Sequence, residues 1–217
     1  MGFATSIHIR GVVQEDVQQC LRALSEHDCY VGPSGNEWIG VYSRRCEESA
    51  GGNTEKFAAK LSSHLGKHVL ALCVYDSEFQ YRLFSDGTLQ DRYPTGGIRR
   101  LRSRKWHILA LCNSDQAKRR VEAILNRARQ LRPAEAAGLP EEEYVRRAYQ
   151  DMARMQHMGP EERKKLVEQY RSVAQANVWQ DAQGLCEGVG IIEFGWNYSD
   201  LAEQDREGKL PSMFGHL

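Results

Sequence analysis

The chain has 217 residues, 41% of them hydrophobic and 27% charged, with 29 basic side chains against 29 acidic ones. That is ordinary globular composition: it excludes a disordered chain and suits one large domain or one domain carrying a substantial insertion. Zero net charge gives no global pull toward nucleic acid or membrane, and there is no run of about 18 apolar residues to cross a bilayer.

The opening Met1-Gly2-Phe3-Ala4-Thr5-Ser6 lacks the basic-then-apolar order of a secretory leader. Gly2 with Ser6 fits the loose myristoylation pattern, but the same residues run straight into a strand. The six cysteines (Cys20, Cys29, Cys46, Cys73, Cys112 and Cys186) form no C-x-x-C pair, which excludes zinc-ribbon and thioredoxin spacing. Free thiols point to a reducing, cytoplasmic compartment.

Thr5, Ile7 and Ile9 alternate with Ser6, His8 and Arg10, the pattern of a half-buried strand. Val17, Cys20, Leu21 and Leu24 then mark one face of a helix with acids in its first turn. Gly32-Pro33-Ser34-Gly35-Asn36 reads as a turn joining Cys29-Tyr30-Val31 to residues 37–42 in a hairpin. A second helix carries Phe57, Leu61 and Leu65 and stops at Gly66; Asn53 or Thr54 can cap it. Residues 69–75 are apolar on both sides, as a central strand is. Phe79, Tyr81 and Leu83 alternate up to Asp86-Gly87, a dipeptide suited to a two-residue hairpin turn, and Leu89 to Tyr93 return.

After a basic linker from Arg99 to Lys105, Trp106 to Cys112 is expected to form another strand. Ser114 can cap a third helix whose inner face is Ala117, Val121, Ile124, Ala128 and Leu131. Residues 140–157 and 160–177 read as an inserted α-hairpin, with Gly159-Pro160 supplying a stop and a start. The tail from Gly184 onward mixes glycine, aromatics and acids without a clear period.

Two internal matches hint at a degenerate β-α-β-β duplication. His8-Ile9 with Asp16 matches His107-Ile108 with Asp115, and Ala58-x-x-Leu61-x-x-x-Leu65-Gly66 matches Ala182-x-x-Leu185-x-x-x-Val189-Gly190. The expected fold is α+β: a mostly antiparallel sheet with helices packed on one face and the α-hairpin inserted in the second half. Residues 1–112 would form the sheet half and 113–217 a helix-rich half packed on it, in one compact domain.

The succession Trp38-Ile39-x-Val41-Tyr42, Leu61-Ser62-x-x-Leu65-Gly66, Val74-Tyr75-Asp76-Ser77-Glu78 and Tyr81-x-Leu83-x-x-x-Gly87 resembles a pattern in a group of uncharacterised bacterial proteins. Leu185-x-x-x-Val189-Gly190 followed by Phe194-Gly195-Trp196-Asn197-Tyr198 is similar to their tails. The resemblance implies a bacterial origin and transfers no activity or site residue.

Four constellations could carry chemistry. From Arg99 to Arg132, eleven basic residues face only Asp115 and Glu122. Arg99, Arg100, Arg102, Arg104, Lys105, Lys118 and Arg119 are therefore polyanion-binding candidates. The competing reading pairs them with an acidic tail of Glu193, Asp200, Glu203, Asp205 and Glu207. Cys112, at the end of the expected strand and just before a helix, could be an activated thiol, though five strand residues keep His107 roughly 16 Å from it. Asp76, Glu78, Asp86 and Asp91 lie around one hairpin, where two carboxylates could pair, although turn chemistry alone explains Asp86. Phe194, Trp196 and Tyr198 alternate and on a strand would share one face; they are partner-binding candidates, or the aromatics that pack the α-hairpin on the sheet.

His64 and His68 are split by Gly66, and Gly188-x-Gly190 lacks the third glycine of a dinucleotide loop. No catalytic residue, metal ligand or cofactor is assigned. The reading favoured is a non-enzymatic protein of the bacterial cytosol that binds another protein or itself, with an immunity or partner-neutralising role in that class. Polyanion binding through 99–132 ranks second and a cysteine- or carboxylate-based enzyme third.

Overall fold

The computed structural model describes residues 3–48, 52–75, 78–93, 106–130, 150, 159, 161, 178–192 and 195–217. The elements are β1 (Phe3–Arg10), α1 (Gln14–Ala23), β2 (Cys29–Gly35), β3 (Trp38–Ser43), α2 (Arg44–Glu48), α3 (Gly52–Leu65), β4 (Val69–Tyr75), β5 (Glu78–Ser85) and β6 (Thr88–Tyr93). They continue with α4 (Trp106–Ala110) and α5 (Asp115–Gln130), then α6, described over 178–189, α7 (Tyr198–Arg206) and β7 (Gly215–His216).

The strands form one sheet in the order β6-β5-β4-β1-β3-β2-β7. Every neighbouring pair is antiparallel, so the chain is an α+β protein. The first four strands and their connecting helices follow β-α-β-β-α-β with β4-β1-β3-β2 side by side, the split β-α-β arrangement. The β5–β6 hairpin extends one edge and β7 the other. Asp86 and Gly87 make the hairpin turn with φ of 49° and 73°, as a two-residue turn of this hand requires.

Side chains alternate across the strands and build two cores. On the first face Ile7, Ile9, Val31, Val41, Val69 and Ala71 meet α1 through Val17 and Leu21, and α3 through Phe57 and Leu61. On the second face Leu70, Leu72, Phe79, Tyr81 and Leu83 meet Ile108, Leu111, Val121, Leu125, Ala182 and Leu185. Helices thus cover both faces rather than one. The reason lies in β4 and β5, whose apolar side chains on the second face also need cover. Residues of the expected sheet half and helix half share this second core.

Three local expectations change. Trp106 to Cys112 is not a strand: residues 106–110 are helical, with the buried Asp91 carboxylate accepting the Ile108 N–H at 3.4 Å. A short apolar run suits either state, and here a carboxylate at the helix start decides. The second unit of the duplication therefore lacks its strand. The other internal match survives at helix level: α3 and α6 both end on a glycine with positive φ, Gly66 at 60° and Gly190 at 94°. Finally, β2 runs on through Gly35, and the hairpin turn falls at Asn36-Glu37. The α-hairpin expected over 140–177 lies outside the described residues apart from 150, 159 and 161.

Candidate functional site

β2 reads Cys-Tyr-Val-Gly-Pro-Ser-Gly, a poor strand by composition, since glycine brings no side chain to pack and proline no donor. The C-terminal part of the chain supplies what it lacks. A Cβ on Gly32 would stand 2.5 Å from Cδ1 of Phe214, so the Phe214 ring occupies that space. A Cβ on Gly35, at φ 136°, would strike the Gly190 carbonyl, and Ile192 N–H donates to Ser34 O at 2.7 Å. The segment after α6 is keyed into both glycines.

The docking continues along the strand. β7 pairs Tyr30 with His216 and Val31 with Gly215. The Tyr30 ring stacks on His216 with centroids 4.4 Å apart, and its hydroxyl donates to Asp205 Oδ2 at 2.9 Å. Burial first, then the Asp205 carboxylate, raise the Tyr30 phenol above its ordinary pKa. Phe214 lies 5.9 Å from both Tyr42 and Trp196. Ser199 donates its hydroxyl to Glu47 of α2 at 2.6 Å.

The three aromatic candidates do not share a strand face. Residues 195–197 are irregular, Asn197 Oδ1 caps α7 by accepting the Asp200 N–H at 2.8 Å, and Tyr198 is the first helical residue. Trp196 and Tyr198 are half-buried against Tyr30, Tyr42 and Phe214; Phe194 lies outside the described residues. The apolar side chains left exposed are elsewhere. Among the described residues they are Val13, Leu89, Ile192 and Met213. All but Leu89 flank β2. Ile192 bonds Ser34. Met213 precedes Phe214 on Gly32. Val13 precedes Gln14, whose Nε2 donates to Val31 O at 2.8 Å. No periodicity marks this rim, because its members come from three distant segments.

The basic candidates scatter. Arg99, Arg100, Arg102, Arg104 and Lys105 lie outside the described residues. On α5, Lys118 pairs with Asp115 at 3.4 Å and Arg120 with Glu187 at 3.2 Å, and Arg119 is exposed with no ion pair among the described residues. Ser114 caps this helix itself, accepting the Ala117 N–H at 3.1 Å, so the anion-ready donors are partly taken.

The enzymatic candidates scatter too. Cys112 follows α4, and burial pushes its thiol up to about 11, against the pull of Lys118 and Arg10. Asp91 is buried, and desolvation raises it to about 6. Asp86 sits exposed in the hairpin turn. Asp76 and the Glu78 side chain lie outside the described residues. Among the described residues no group of three His, Cys, Asp or Glu is placed to hold a metal ion. No helix among them is long and apolar enough to cross a membrane.

Sequence reasoning missed one polar feature. The alternation in β1 reads as one side in water, yet Ser6 and His8 are buried. His8 Nε2 lies 2.8 Å from Ser6 Oγ and Nδ1 lies 2.9 Å from Ser34 Oγ. Each serine can serve as donor or acceptor, so both ring nitrogens of a neutral imidazole are satisfied. Burial lowers its pKa to about 3, which keeps it uncharged near neutrality. Both nitrogens are bound and the ring has no exposure, so the arrangement holds strands together rather than presenting a base.

Family models, curated proteins and solved structures were compared with the chain. None matches.

Proposed function

We propose that this chain acts by binding another protein, in the bacterial cytosol, through the rim around β2. The observation that carries this reading is the placement of Val13, Ile192 and Met213, exposed and grouped about one strand, while titratable groups are buried or dispersed. Exposed apolar side chains rimmed by polar ones suit a partner surface. Asn36 and Glu37 supply polar groups beside Ile192, and Glu15 and Asp16 beside Val13; all four are exposed. Trp196 and Tyr198 support the rim from beneath by fixing the C-terminal segment. Six cysteines with no disulfide among them agree with a reducing compartment.

A photo-crosslinking side chain placed at 192 or at 213, with exposed Glu122 as control, tests the reading in cells. The expected outcome is a covalent adduct to one defined protein, or to a second copy, from 192 and 213 but not from 122. Equal or absent adducts at all three positions would overturn it.

A further inference from the structure

α1 packs against α3 on the first face. The Arg10 N–H donates to His68 O at 3.1 Å, so the chain leaving α3 arrives where α1 is about to begin. Between the two helices is a hollow of about 400 Å³, within the size range of small-molecule sites. Its apolar lining comes from Val12, Cys20, Ala23 and Leu65. Val12 and Leu65 also rest on the core below. Asp16, Gln19, Cys20 and Ala23 fall at spacings of three, four and seven, so one face of α1 forms a wall of the hollow. Gly11, at φ 69° with open space where a Cβ would stand, leaves the hollow open beside it.

The polar lining is Asp16 and Gln19 from α1, with His64 and Lys67 from the end of α3 and the turn after it. All four are exposed, and among the described residues none makes a side-chain hydrogen bond or an ion pair. Elsewhere on the described surface opposite charges close on each other: Arg10 on Glu37, Arg44 on Glu48 and Arg82 on Glu55, each within 3.3 Å. Here a carboxylate and an ammonium line one hollow without meeting. Charges held apart over apolar side chains complement a molecule that has both charges and an apolar body. Such a molecule meets each side chain with the opposite charge and takes apolar surface out of water.

We propose that the hollow between α1 and α3 binds a small zwitterion with an apolar side chain, a free amino acid or a short peptide. The Asp16 carboxylate accepts from its ammonium end. Lys67 donates to its carboxylate end, and the Gln19 amide can serve either end. Val12, Cys20, Ala23 and Leu65 cover the apolar side chain. Exposed ion pairs are individually weak, so binding needs both charged ends and the apolar burial together. None of Val13, Ile192 and Met213 lines the hollow, so this inference stands apart from the partner rim.

The test titrates the isotope-labelled full chain and reads its amide chemical shifts. The probes are leucine, leucyl-leucine, isoamylamine (leucine without the carboxylate) and isocaproate (leucine without the ammonium). Leucine or leucyl-leucine is expected to shift the Val12, Gln19, Cys20 and Lys67 amides saturably below about 10 mM, and the tighter of the two tells the amino acid from the peptide. Isoamylamine and isocaproate should bind at least about tenfold more weakly. Asp16→Asn and Lys67→Gln should each weaken the zwitterion by about tenfold, and Ala23→Trp should abolish binding by filling the hollow. All three positions are exposed, and shifts away from residues 11–23 and 64–68 report whether each variant keeps its fold. No saturable shift with either zwitterion, shifts centred elsewhere, or equal binding of the amine or the acid alone would sink the proposal. The wild-type titrations are enough to decide, whatever the variants do.

Discussion

The two faces of the sheet are covered in different ways. The first is sealed by α1 and α3, helices that connect strands consecutive in the chain, and most of what they bury is aliphatic or aromatic. The second is sealed by α4 to α7 and the segment around β7, far along the chain, and it buries His8, Ser34 and Asp91. Apolar burial tolerates small errors of fit, whereas a buried polar chain is favourable only when every member is paired. The local cover therefore supplies bulk stability, and the distant cover supplies register.

Acid would separate the faces most strongly. Between pH 6.5 and about 3 the unfolded His8 binds a proton that the folded one refuses. Stability is full above pH 6.5 and falls as pH drops, by up to roughly 5 kcal/mol at pH 3. Asp91 works in the opposite sense. Its folded pKa is raised to about 6, so its contribution is full below the unfolded value near 3.8 and is lost as pH rises through 6. Urea melts at pH 7, 5 and 4 should show a shallower acid loss in His8→Gln and a steeper one in Asp91→Asn. Identical slopes in all three proteins would remove the histidine from the account.

Leu61→Ala, on the first face, should cost about 2–5 kcal/mol with the acid profile unchanged, because the core it fills is built from apolar side chains and thiols, which do not change charge under mildly acidic conditions. Gly32→Ala should cost about 1–3 kcal/mol by pushing on Phe214, and a smaller side chain at 214 should recover part of the loss. Tyr30→Phe should cost about 1 kcal/mol through the lost bond to Asp205. Ile192→Ser should shift stability by less than about 0.5 kcal/mol while weakening partner capture. A large stability loss there would mean that Ile192 serves the fold.

Much of the first face was legible in the sequence. Thr5, Ile7 and Ile9, the Val17–Leu21 stripe, the Phe57–Leu61–Leu65 stripe and the Asp86-Gly87 turn all stand as their spacing predicts, because neighbours in sequence are neighbours in space. The second face was legible only in fragments. The Ala182–Leu185–Val189 match with α3 carried the signal for α6. α4 was hidden because its cap, Asp91, is a residue of β6. His8 was read as solvent-facing because its two partners lie at different distances along the chain, one two residues away and the other 26. β2 looked like a turn because Phe214 and Gly190, which fill the space above its glycines, come from the far end of the sequence. The rim around β2 was invisible for the same reason, whereas Trp196 and Tyr198 were noticed as aromatics yet serve as its support.

The keying of β2 also has a consequence during synthesis. β2 leaves the ribosome about 185 residues before Gly215 and His216 can pair with it, which at about 5–20 residues per second is roughly 10–40 s of exposed strand edge. Pro33 in that strand cannot donate a hydrogen bond to a foreign strand. The nascent chain thus carries its own guard against mispairing until the segment around β7 arrives.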